Sequence, residues 1–131
     1  MTKNEAAEFF KLDRYASEGL GAVIEEVSDG HSVVSMTICD RHRAAHGGVM
    51  GGAVFSLADF AFAVACNTPE SITVTVSSNI NFMSGAKTDR LVAECTRVKN
   101  GKRVCFCETT VTDSAGTIVA TVSAVGSKIK S

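Results

Sequence analysis

The chain of 131 residues carries 13 Lys and Arg against 14 Asp and Glu, a formal net charge of -1, with 45% hydrophobic and 21% charged residues. That length suffices for one domain with a real core, and the near-neutral balance gives no general attraction to nucleic acid or anionic membranes. With no Trp and a single Tyr, Tyr15, an aromatic platform for stacked bases is not expected either.

The opening residues, MTKNEAAEFFKLDRY, are polar and acidic, unlike a secretory signal. No apolar run approaches the length that spans a bilayer. A cytoplasmic protein without membrane attachment is expected. Residues 3–11 predict a short amphipathic helix capped by Thr2 or Asn4. After Gly19 and Gly21, the stretch AVIEEVSDGHSVVSMTIC reads as two strands joined at Ser28-Asp29-Gly30-His31, because Asp-Gly between apolar alternations is a hairpin signal. A loop over 40–49 leads into a second helix, from Met50 to about Cys66, and Pro69 closes that region.

From Ile72 onward β-formers dominate. Turns at Asn100-Gly101 and at Asp113-Ser114-Ala115-Gly116 make the last three strands a meander. The sum is β-β-α-β-β-β-β behind a short leading helix, with no linker, repeat or low-complexity tract, so residues 1–131 are expected to form one domain. One long helix among about six strands implies an α+β layout, a curved antiparallel sheet wrapped around that helix. Between Gly52 and Cys66 the only strongly polar side chains are Ser56 and Asp59, so the helix should be covered on nearly every side.

The five cysteines, at 39, 66, 95, 105 and 107, form no CxxC pair and make an odd count, which reads as reduced thiols. Cys105 and Cys107 would share one face of a strand, where direct pairing is poor. No structural zinc or other metal site is expected, since ligand clusters are missing from the sequence. The one HxxxH spacing, His42 and His46, falls in a glycine-flanked stretch.

Asp59 is the residue that asks for an explanation. A carboxylate inside an apolar helix is costly unless it is paired or used, and it lies too far in to be an N-cap. It is either satisfied by an arginine or by backbone amides, or it is a base or nucleophile whose pKa burial has raised. Gly51-Gly52 at the helix start either permits a tight turn or leaves bare N–H groups, at the positive end of the helix dipole, open to a substrate carbonyl. Gly51 and Asp59 are eight residues apart, about 12 Å along a helix. If they act on one carbon, they must come from different subunits, as an antiparallel pair of helices across a two-fold axis would arrange.

The segment MGGAVFSLADFAFAVACN, residues 50–67, resembles the central helix of hotdog-fold acyl-CoA thioesterases of the phenylacetate-degradation (PaaI-like) type. That pattern is His-Gly-Gly, four variable residues, Leu, one residue, then Asp. Its nine-residue spacing from His to Asp puts Met50 in the His slot and Gly51-Gly52 at the helix start, leaving the HGG at 46–48 in the preceding loop. The resemblance extends along the strands from NINFM to the end of the meander.

It implies hydrolysis of an aryl or short- to medium-chain acyl-CoA, with coenzyme A as part of the substrate and no separate cofactor. It assigns Asp59 as base or nucleophile, the Gly51 amide as the group polarising the carbonyl, and Thr75 as the hydroxyl that positions water or the carboxylate. The acyl chain is expected near Phe55, Phe60 or Phe62, beside Met50 and Gly52. The coenzyme A phosphates are expected among Lys87, Arg90, Arg97, Lys99, Lys102 and Arg103. A homodimer is the implied working unit, commonly paired into a homotetramer.

Two departures stand out: Ala44 occupies a slot where the family often has Asn, and SGA at 84–86 replaces its usual Arg-Pro-Ala or Ser-Pro-Ala turn. His46, two residues beyond Ala44, is the candidate to replace part of what is lost. Loss of the His and Asn side chains favours an alternative, a non-catalytic acyl-CoA or fatty-acid binding dimer, whereas retention of Asp59 argues for an enzyme. A dehydratase of acyl thioesters is a third reading, weakened because no histidine is placed with a carboxylate on this helix.

Overall fold

The computed structural model describes residues 1–130. Helix α1, Lys3–Phe10, starts at Thr2 in a reciprocal cap: Glu5 N–H donates to Thr2 Oγ1 at 3.1 Å, and Thr2 N–H to Glu5 Oε1 at 2.9 Å. Its Ala6 and Phe10 are buried, with Phe10 edge-on to Phe60 at a centroid distance of 5.9 Å. A single wide turn, Tyr15–Gly19, follows.

Strands β1, Val23–Ser28, and β2, His31–Thr37, form the expected hairpin, with Gly30 at φ 77° in its turn. Helix α2 runs Gly51–Cys66 with Met50 as N-cap, and Pro69 sits in a tight turn between Thr68 and Ser71. Strands β3, Ile72–Phe82, β4, Arg90–Asn100, β5, Val104–Asp113, and β6, Ile118–Lys130, complete the sheet.

The six strands are antiparallel neighbours in the order β1-β2-β4-β5-β6-β3. The meander β4-β5-β6 fills the middle, while β3, which leaves the helix first, pairs only with the last strand and lies at the edge. Helix α2 packs on the concave face: Val54, Leu57, Ala61 and Val64 are buried in one core with Val34, Leu91, Ala93 and Val111. This is the curved sheet around a helix that the sequence pattern predicts.

Coverage of α2 differs from the expectation. Its sheet-facing sides are buried, yet Gly52 and Asp59 are exposed and Phe55, Ser56 and Ala63 half-buried. These positions recur at three- and four-residue intervals, so they form one open stripe along the helix. Apolar content alone does not distinguish a helix wrapped by its own sheet from one that leaves a face for something else.

The cysteines also differ from the expectation of no ligand cluster. All five are free thiols, and those of Cys66, Cys105 and Cys107 converge within 4.8 Å of one another. The strand alternation predicts that Cys105 and Cys107 share a face. That the last residue of α2 meets them depends on how helix and sheet pack.

Candidate active site

Asp59 projects from the open stripe of α2. Neither an arginine nor a backbone amide satisfies it; among the described residues its hydrogen-bond partner is Thr75, whose Oγ1 donates to Asp59 Oδ1 at 3.4 Å. That is long for an O–H···O bond, which is ordinarily about 2.7 Å. Thr75 lies on edge strand β3 beside a bulge, where the pairing with β6 steps from Thr75–Gly126 to Ser77–Val125 and leaves Val76 extra. Such a bulge bends a strand and re-aims the neighbouring side chain.

The carboxylate opens into a groove of about 500 Å³ whose other walls include Phe55, Ser56, Phe60, Ala63 and the turn Asp13–Ala16. Although solvent reaches Asp59, the surrounding protein thins its hydration. Desolvation pushes its carboxyl above the ordinary Asp range, and the Thr75 hydrogen bond offsets part of that rise. Asp13 faces the same groove. Its carboxyl is also raised, by burial first and then by the negative charge of Asp59. Arg14 is held by Glu18 at 2.7 Å and does not neutralise either acid.

Asp13 was beyond sequence reasoning. It sits in a polar stretch, KLDRY, that shows no motif, and only the folding back of the N-terminal turn places it there. That turn is fastened by Arg41, whose Nε donates to Gly19 O at 2.8 Å and Nη2 to Glu18 O at 3.1 Å. His42 assists: the Cys39 amide donates to its Nδ1 at 3.0 Å, which leaves Nε2 to donate to Gly19 O at 2.8 Å. Both ring nitrogens of this buried histidine are therefore occupied, and it does not join His46 as a metal pair.

Gly51 lies in a separate depression at the other end of α2, of about 360 Å³, with Phe82, Met83 and Val119 on its walls. Met50 contributes no side-chain cap, so the first amides of the helix keep no partner from that residue. Space is tight at this point: a Cβ on Gly51 would stand 3.1 Å from the Phe82 ring. Gly52 has open space around it, and Met50 is half exposed. Within one protomer, then, Thr75 joins Asp59 while Gly51 does not.

The other expected residues divide similarly. Phe55 and Phe60 line the Asp59 groove, Phe60 from a largely buried position. Phe62 instead points into the core, its ring 2.7 Å from where a Cβ on Gly126 would be. His46 stays in its own loop, a tight excursion closed by the Arg43–Val49 bridge, where its Nδ1 accepts from Gly48 N–H at 3.2 Å. It lines a third depression, with Lys87 and Asp89, and reaches neither Asp59 nor Gly51.

Of the cations, Arg90 pairs with Glu25 at 3.0 Å and Arg97 with Asp29 at 3.1 Å. Arg90 opens β4, whereas Lys99 and Arg103 flank the turn at its far end, about 30 Å away at the rise of a strand. These three cannot grip one phosphate group from a single protomer.

Comparison with known proteins agrees with this architecture. Residues 46–120 match the family model described as the thioesterase superfamily. A protein of Archaeoglobus fulgidus is 34% identical over 104 residues, covering 79% of this chain and 68% of that one. The acyl-coenzyme A thioesterase PaaI of Escherichia coli is 35% identical over 88 residues, which span 66% of this chain and 63% of that relative. In structure, the E. coli PaaI protein superposes with a TM-score of 0.88 at 26% identity, covering 98% of this chain and 96% of that one. No helix among the described residues is long and apolar enough to cross a membrane. With a curved sheet wrapped around α2, a carboxylate on that helix and a matched family model that covers α2 and strands β3 to β5, the chain belongs to the thioesterase superfamily as a PaaI-like hotdog hydrolase of thioesters.

Proposed function

We propose that this hydrolase acts on acyl-CoA thioesters with aryl or short- to medium-chain acyl groups, and that each of its sites is shared across a homodimer. The observation that carries this reading is the split between two depressions on one helix. Asp59 with Thr75 occupies one and Gly51 the other, too far apart to serve a single carbonyl. An antiparallel copy would bring Asp59 of one protomer to Gly51 of the partner subunit, twice over. The open stripe on α2 supports such a partner. So does edge strand β3, which presents eleven residues of half-used backbone together with the exposed side chains Val74, Val76 and Phe82.

In this arrangement the thioester carbonyl accepts from the Gly51 N–H, where the helix dipole stabilises the negative charge that develops on oxygen. Asp59, ionised, either takes a proton from water as the water attacks, or attacks the carbonyl itself to give an anhydride that water cleaves. Thr75 holds the attacking group in line. The acyl chain lies against Phe55 and Phe60. In the first branch the proton Asp59 took from water passes to the departing thiolate; in the second the thiolate leaves as the anhydride forms and is protonated from solvent, and the hydrolysing water returns that proton. In this reading Lys99 and Arg103, on either side of one turn, share a coenzyme A phosphate. No histidine lines the Asp59 groove among the described residues, which favours hydrolysis over hydration chemistry.

A second reading, an acyl-CoA binder without turnover, is favoured by Met50 and Ala44 at the two substituted slots. Loss of thioester absorbance over a panel of aryl, short and medium acyl-CoAs separates the two. The readout should be direct, because five thiols would react with a thiol dye. Turnover that disappears in Asp59→Ala supports the hydrolase; tight binding of every acyl-CoA with no turnover in the wild type sinks it.

A further inference from the structure

Cys66, Cys105 and Cys107 play no part in the proposed hydrolysis, yet the fold gathers them. Cys66 is the last residue of α2, and Cys105 and Cys107 lie two apart on the inward face of β5. Their sulfurs all fall within 4.8 Å of one another, with Cys66 Sγ and Cys107 Sγ at 3.4 Å. We propose that these three thiols form a trigonal binding site for a thiophilic d10 cation, with Cu(I) as the ion that fits best.

The spacing carries the argument. Metal–sulfur bonds of about 2.3 Å in a plane of three put the sulfurs about 4.0 Å apart, within the span found here without movement of helix or strand. An all-sulfur donor set selects soft cations, and three donors rather than four suit Cu(I) better than Zn(II). Cys95, on neighbouring β4, is buried and touches Cys107, but it is not among the three sulfurs that lie within 4.8 Å of one another, so a tetrahedral site would require it to move closer to Cys66 and Cys105.

The surroundings fit a charged centre. Three thiolates and Cu(I) sum to a charge of -2, and the nearby cation is Arg97, whose partner in the β4–β5 ladder is Cys107 and whose side chain is only 13% exposed. On the opposite side Gly126 leaves room that a methyl group would take, since a Cβ there would be 3.1 Å from Cys105 Sγ. A cleft of about 240 Å³, lined by Cys66, Arg97, Thr73 and Lys128, reaches the first of the three cysteines from the surface. Binding would break three S–H bonds, form three Cu–S bonds and release three protons to solvent. The copper enters and remains as Cu(I), so no electron is transferred.

The test is an anaerobic titration of the reduced, full-length protein with Cu(I) delivered from a competing chelator. It reads the ultraviolet Cu(I)–thiolate band, proton release and melting temperature. One Cu(I) per chain, about three protons released and a raised melting temperature are expected. Cys107→Ala should weaken binding at least tenfold, whereas Cys39→Ala, an exposed thiol outside the cluster, should leave it unchanged. Should Cys107→Ala not fold, the proton count and stoichiometry of the wild type still decide. Failure of the wild type to compete for Cu(I), release of one proton only, or loss of the signal in Cys39→Ala overturns the proposal. Titration with Zn(II) in parallel, if it bound more tightly and required Cys95, would overturn the trigonal Cu(I) assignment.

Discussion

Thr75 reaches Asp59 from the outermost strand of the sheet, 3.4 Å from hydroxyl to carboxylate, and it is the hydrogen-bond donor that this acid has in the protomer. The acid that sequence reasoning singled out is thus left under-solvated, neither quenched by an ion pair nor locked into backbone amides.

Replacing Asp59 by Asn should therefore separate activity from stability. Turnover should fall by about 100- to 10,000-fold, the contribution of a positioned base. Because the folded-state pKa of Asp59 is raised, ionised Asp59 weakens the fold: stability is fullest when it is protonated and declines as pH rises from the unfolded pKa through the folded one. The Asn variant should accordingly melt slightly higher than wild type at neutral pH. A lower melting temperature would show that Asp59 holds the structure together.

Thr75→Val removes the bond that favours the charged carboxylate, so the pKa of Asp59 should rise further. The acid limb of kcat/KM against pH should shift upward, and the plateau rate should drop by about tenfold or more. An unmoved acid limb would mean that Asp59 is not the group seen in the profile.

Asp13→Asn is expected to do the opposite. Repulsion between the two carboxylates is mutual, and removing one charge from the shared groove eases ionisation of the other. The acid limb should then move to lower pH while Arg14 stays paired with Glu18.

Subunit mixing examines the shared site. Gly51→Val puts bulk where the Phe82 ring leaves only 3.1 Å for a Cβ, and should abolish turnover by itself. When inactive Asp59→Asn and inactive Gly51→Val proteins are unfolded and refolded together, half of the dimers are hybrids carrying one intact site. Activity should return to about a quarter of wild type. No recovery, with hybrids demonstrated by mass spectrometry, would place both groups within one protomer.

Gly126→Ala addresses the core behind the site. Its added methyl would meet Thr73 at 2.6 Å and Phe62 at 2.7 Å, so overpacking should cost about 1–3 kcal/mol in denaturant unfolding.

Much of this was legible before the fold was seen. The Asp29-Gly30 hairpin, the start of α2 at Gly51 and the meander all follow from local signals, turn residues and alternation, that act over a few positions. Asp59 stood out because its surroundings in sequence are apolar. The resemblance added Thr75, and its contact with Asp59 required β3 to curl back beside the helix. What stayed hidden depends on long-range packing. Asp13 comes to line the Asp59 groove through the N-terminal turn, Phe62 turns inward while Phe55 turns out, and Cys66 meets two strand thiols 39 and 41 positions further along the chain. Arg90 does not meet Lys99 and Arg103 because β4 carries its two ends far apart.

The fastening of the N-terminal turn by Arg41 and His42 carries a consequence for how the protein fails. One wall of the groove, with Asp13, depends on a few polar bonds at its rim, whereas the carboxylate opposite stands on the buried helix. Mild denaturant should peel the turn away in a local opening well below the global transition. Catalysis would then fade while the sheet and its central helix remain intact, making the enzyme's own rate a reporter of its weakest segment.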